Sequence, residues 1–167
     1  GGMVRSQQTG IGGGGSYQIT DTMVTGSSTG IIIGHSSSLS GVTITNNGVG
    51  LAAGGFDAAN PVVLTMRNST VSGNHQDGVR ISNAIHVDLG TAASPGGNTI
   101  QGNTGAGLAV VSDDGSPTVN ASGNTWNASV QGADSDGRYI LVETLAGPIA
   151  ASPGNNFAIA AGSSLTR

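Results

Sequence analysis

The chain has 167 residues, 36% of them hydrophobic, 8% charged and only 3% aromatic, with a formal net charge of −4, which suits one domain with a thin aliphatic core. Its 30 glycines alone would fit a disordered linker, but low charge and abundant Val, Ile and Thr exclude one; the absence of cysteine excludes disulfides and thiolate metal sites. Without lysine, and with five arginines against nine acids, there is no basic stripe for nucleic acid or anionic lipid, and no apolar run is long enough for a membrane-spanning helix.

The first residues, Gly1-Gly2-Met3, carry neither the charged start nor the apolar stretch of a signal peptide, and the chain reads as the excised last part of something longer. Gly10-Ile11 is a degenerate first copy of a pattern that then recurs four times. Val24-Thr25-Gly26 leads to Gly30-Ile31-Ile32-Ile33, and Ile44-Thr45-Asn46-Asn47 to Gly50-Leu51-Ala52-Ala53. Val71-Ser72-Gly73-Asn74 leads to Gly78-Val79-Arg80-Ile81, and Ile100-Gln101-Gly102-Asn103 to Gly107-Leu108-Ala109-Val110. Each copy is two short strands around a Gly/Asn corner.

Alternation along a strand puts Val24, Ile44, Val71 and Ile100 inward, and on the second strand Ile31, Leu51, Val79 and Leu108, each with the residue two further on. Ile32, Ala52, Arg80 and Ala109 then point outward. The repeated glycines at 10, 30, 50, 78 and 107 lie 20, 20, 28 and 29 residues apart, so some copies are minimal and others carry an added loop. Gly54 to Pro61 and Thr91 to Gly97 have the composition of such loops. Val62 to Met66 and Ile85 to Leu89 supply a third strand.

A repeat of this size with strand periodicity predicts an all-β fold, a right-handed parallel β-helix of about five to six coils. About five inward side chains per coil, at roughly 1.5 to 3 kcal/mol each, do not offset about 1 to 2 kcal/mol of backbone entropy per residue. A single coil is therefore unstable, and coils must stack and be covered at their ends. Asn47, Asn74, Asn103 and Asn124 recur at corners, where asparagine tolerates left-handed backbone and can hydrogen-bond to the next asparagine of a ladder. Residues 1–126 are assigned to the coils and 127–167 to a terminal coil and capping segment, with Trp126 and Tyr139 as the large cap side chains.

The run Asp88-Leu89-Gly90, Ser94 to Ile100, Gly102-Asn103, Gly123 to Trp126 and Val130 to Asp134 resembles bacterial right-handed parallel β-helix repeat proteins of an uncharacterised surface or secreted type. The resemblance covers roughly residues 20 to 165. It implies a secreted or cell-surface location and brings no catalytic motif or cofactor with it.

The reading that follows is a non-catalytic structural or binding module used for display, adhesion or self-assembly. Its expected partners are a second copy stacked end to end, a neighbouring N-terminal domain, or a glycan. The alternative is a polysaccharide-binding or polysaccharide-cleaving β-helix. Glycosidases need two carboxyls about 5 to 10 Å apart, and the candidates are Asp77, Asp113 and Asp114. Asp113-Asp114 sits in turn-like Ser112 to Pro117, and Asp77 belongs to a different corner. His35, His75 and His86 occupy different coil positions, which argues against a shared metal. A third reading, ice binding, needs outward Thr-x-Thr pairs; the corresponding pairs are Met23/Thr25, Thr43/Thr45, Thr70/Ser72 and Thr99/Gln101, complete in one coil only.

Overall fold

The computed structural model describes residues 1–57, 59–83, 85–91, 93–111, 118–127, 139–141 and 164–166. Among them every regular element is a β-strand. Successive triplets of strands wind into coils. The first coil holds β1 (Gly2–Arg5), β2 (Thr9–Ile11) and β3 (Gln18–Thr20). The second holds β4 (Thr22–Thr25), β5 (Thr29–Ile33) and β6 (Ser37–Ser40), and the third β7 (Thr43–Thr45), β8 (Val49–Gly55) and β9 (Val62–Arg67). The fourth is β10 (Thr70–Ser72), β11 (Val79–Asn83) and β12 (Ile85–Asp88), and the fifth β13 (Thr99–Gln101), β14 (Leu108–Val111) and β15 (Thr118–Asn120). β16 (Thr125–Asn127), β17 (Tyr139–Leu141) and β18 (Ser164–Thr166) complete the set.

The strands stack into three sheets. Sheet 1 runs β1-β4-β7-β10-β13-β16-β18, sheet 2 runs β2-β5-β8-β11-β14-β17, and sheet 3 runs β3-β6-β9-β12-β15. All pairs are parallel except β14 with β17, which is antiparallel. The chain is an all-β parallel β-helix. A third strand completes every coil, including β3 and β6, whose sequences Gln-Ile-Thr and Ser-Ser-Leu-Ser carry a single aliphatic residue each.

Register explains the core. Val4, Val24, Ile44, Val71 and Ile100 follow one another across sheet 1, and the last four are fully buried. Ile11, Ile31, Leu51, Val79 and Leu108 do the same across sheet 2. On sheet 3, Ile19, Leu39 and Met66 form one column, and Leu64, Val87 and Val119 another. Of the outward set on sheet 2, Ile32 is exposed and Ala52 and Arg80 half-buried, but Ala109 is fully buried. Ala109 lies on β14 opposite Leu141 of the antiparallel β17, and a methyl group there is easily covered.

Two polar ladders run through the wall, not one. At the corner from sheet 1 to sheet 2, Asn47 Nδ2 donates to Asn74 Oδ1 at 3.2 Å, and Asn74 Nδ2 to Asn103 Oδ1 at 2.8 Å. At the opposite corner, from sheet 3 to sheet 1, Asn98 Nδ2 donates to Asn124 Oδ1 at 2.8 Å, and the Ser69 amide to Asn98 Oδ1 at 3.0 Å. Asn124, expected beside Asn47, Asn74 and Asn103, thus belongs to a second column with Asn98. The reason is its position: it precedes its sheet 1 strand, whereas the other three follow theirs.

Each ladder sits next to a column of left-handed corner residues: Gly26, Asn46, Gly73 and Gly102 after sheet 1, and Asp21, Gly41, Asn68, Gly97 and Gly123 before it. The repeated glycines 30, 50 and 78 are not among these. They are small because the next coil lies against them: a Cβ on Gly78 would stand 2.6 Å from Asn103 Nδ2, and one on Gly50 2.8 Å from Asn74 Nδ2.

Candidate functional site

On the outer side of sheet 2 a groove of about 510 Å³ crosses the first four coils. Its floor is made by the outward positions Ile32 and Ala52, which are register neighbours on β5 and β8. At the C-terminal ends of these strands the side chains disappear: Gly13 and Gly14 follow β2, Gly34 follows β5, and Gly54 and Gly55 end β8. The groove exists because successive coils place glycine at the same corner. Gly54 leaves no easy room for a side chain, since a Cβ there would stand 2.9 Å from the Ser82 carbonyl oxygen.

Phe56 stands at the rim with 95% of its surface exposed. The loop behind it is tied by Asp57, whose carboxylate accepts from Asn60 Nδ2 at 2.7 Å and from the Ala59 amide at 2.9 Å. These two donors, the Asn60 side chain foremost, hold the Asp57 carboxyl below the usual carboxylate range.

The other end of the groove carries a fixed cation. Arg80 points outward from β11, and its Nε and Nη2 both reach Asp77 Oδ2, at 2.8 and 2.7 Å. Asp77 is buried, and its second oxygen accepts from the Ala106 amide in the following coil at 3.0 Å. Gln76 adds an acceptor for Arg80 Nη2 at 3.3 Å. Both Asp77 oxygens are therefore engaged in fixing Arg80 and stacking a corner. Asp113 and Asp114 lie outside the described residues.

A second ion pair, Arg67 with Asp88 at 2.7 Å, sits on sheet 3. Arg67 Nη1 also donates to the Asp88 carbonyl at 2.8 Å, and Asp88 Oδ1 accepts from Gly90, so this pair clasps the third coil to the fourth. Asp77 and Asp88 thus serve different sheets and each faces an arginine. His35 lines the groove, while His75 lies at the corner from sheet 1 to sheet 2 and His86 on sheet 3; all three are exposed. Among the described residues no three of His, Asp and Glu gather as metal ligands.

The structure places Trp126 on β16, in register with Ile100, and Tyr139 at the start of β17, in register with Val111. Sequence reasoning did not single out Phe56, His35, Gly34 or Gly54 as members of a site. A signal was present in the glycines two positions beyond each outward apolar residue, Ile32 to Gly34 and Ala52 to Gly54; it was masked by the many other glycines.

A family model described as a protein of unknown function, DUF1565, matches residues 3–131, a span that runs from Met3 on β1 through β16. The chain belongs to the DUF1565 family. No curated protein and no solved structure matches it. The matched span of this DUF1565 chain also includes every residue of the groove, so the site lies within the family's own module and not in an appendage.

Proposed function

We propose that this chain is a non-catalytic binding module of a secreted or cell-surface protein, and that the groove on sheet 2 receives a neutral glycan strand. The observation that carries the reading is Phe56: an aromatic ring 95% exposed beside an apolar floor, in a chain with 3% aromatic residues. Pyranose rings present apolar C–H faces to such a ring, and their hydroxyls need a few fixed polar partners. Arg80 supplies donors at the far end. Its charge is already balanced by Asp77, which favours an uncharged sugar over a uronate.

The non-catalytic reading is supported by Asp77 and Asp88, which lie apart and each face an arginine, Asp77 also accepting from the Ala106 amide of the next coil and Asp88 from the nearby Gly90 amide. Screening the chain on a glycan array, followed by calorimetry on the glycans retained, tests the reading. Phe56→Ala is expected to weaken binding by about tenfold. An array with no retained glycan, or equal affinity for the variant, would refute it.

A further inference from the structure

A different face of the rod carries a second pattern. On sheet 1 the register aligns Met3, Met23, Thr43, Thr70, Thr99 and Thr125 in one outward column. Arg5, Thr25, Thr45, Ser72 and Gln101 form the other, in which Thr25 is buried. Judged as pairs, these positions hold Thr-x-Thr in one coil only; followed along the stack, threonine repeats without interruption from Thr43 to Thr125.

The spacing is regular for physical reasons. The column runs across strands stacked about 4.8 Å apart, and the two outward positions of one strand lie roughly 6.6 Å from each other. The Asn47/Asn74/Asn103 ladder grips the strands at one end and the Asn98/Asn124 ladder at the other, with left-handed corner residues outside both. The threonines are held half-buried side by side, which fixes χ1 of a β-branched residue. β4, β7, β10 and β13 carry no charged side chain; the two ion pairs lie elsewhere, on Arg67–Asp88 and Arg80–Asp77.

We propose that the threonine column of sheet 1 is a planar surface for ordered water, and that the protein adsorbs to ice through it. From β4 to β13 the face is uncharged, with Arg5 of β1 at one end, so over that stretch it matches a neutral lattice and not an ionic partner. A second copy is a poor occupant: the patch from Thr43 to Thr125 is about 15 Å long and of the order of 200 Å² in area, against ~800 Å² per partner in a stable interface. A lattice needs no such area at one site, because each regularly placed methyl and hydroxyl adds the same small contact. Crystalline polysaccharide is the less suited periodic ligand, since no aromatic residue occupies an outward position of these strands.

The test is ice-crystal morphology and recrystallisation in the presence of the purified chain. Wild type is expected to facet ice and slow recrystallisation. Thr70→Tyr and Thr99→Tyr, made singly, are expected to abolish both while keeping the wild-type melting temperature; making two keeps one informative if the other fails to fold. Thr65→Tyr, on sheet 3, should retain both effects. Unfaceted ice with wild type, or full activity in both folded sheet 1 variants, would overturn the proposal. So would loss of activity in the Thr65 variant with its melting temperature unchanged, or retention on microcrystalline cellulose or chitin with no effect on ice.

Discussion

Asn74 holds four groups at once. Its Oδ1 accepts from the backbone and side-chain nitrogens of Asn47, at 3.0 and 3.2 Å, and its Nδ2 donates to Asn103 Oδ1 and to the Ile44 carbonyl. All of this is buried. An unmet buried polar group costs about 1 to 3 kcal/mol, so Asn74→Ala should lower stability by on the order of 3 kcal/mol in urea unfolding. Thr45→Ala, on the wall nearby, should cost far less. The ladder ends at Ser27, whose amide donates to Asn47 Oδ1 while its own hydroxyl has no partner among the described residues. Gly10 stands over Ser27 as Gly30 stands over Asn47, with similar room: a Cβ would come 3.2 Å from Ser27 Oγ and 3.0 Å from Asn47 Nδ2. Ser27→Asn should extend the column by one rung and raise stability by about 1 kcal/mol, read from the same urea midpoint. A midpoint unchanged or lowered would show that the first coil cannot accommodate the amide.

Legibility changes at the scale of the strand. The aliphatic columns of sheets 1 and 2 were readable because Val, Ile and Leu recur at fixed distances from the corner glycines. β3 and β6 were not, because serine, threonine and glutamine serve as strand residues when the neighbouring coils supply the ladder, and only Ile19 and Leu39 remain as inward signals. The groove was hidden for a related reason: it is defined by missing side chains at Gly34 and Gly54, and absence has no periodicity that hydrophobic patterning detects. Its rim has a checkable element-scale property. Both oxygens of the Asp57 carboxylate close the turn between β8 and β9, and its folded pKa is lowered. The ordering is therefore complete above the ordinary carboxylate pKa and is lost as pH falls through the lowered folded value. Amide protection at Ala59 and Asn60, taken relative to the intrinsic exchange rate at each pH, should fall on acidification into that range, while protection in β8 and β9 stays high. Asp57→Ala should show low protection in the turn at every pH, and a turn insensitive to both changes would mean that other contacts shape it.

For the molecule as a whole, stacking sets both stability and association. Each coil is held by the one before and the one after, as in any solenoid, and the ladders carry that dependence through the wall. Among the described residues β1, β2 and β3 pair on one side only, so the first coil offers a row of backbone donors and acceptors of the kind that recruits another strand. An edge of this kind can accept a further strand, and the behaviour of the 167-residue chain on its own tests whether a second copy supplies one. The Gly2 amide bonds to the Asp21 carbonyl of the second coil at 3.3 Å, and alternation along a parallel strand then turns the Met3 amide toward the open side. Met3→Pro removes that donor without touching the bonds to β4 and is tolerated on an edge strand. Light scattering of the chain should show mass rising with concentration, and Met3→Pro should suppress the rise while leaving thermal unfolding unchanged. A mass that stays monomeric at high concentration would show that the edge does not recruit a second copy.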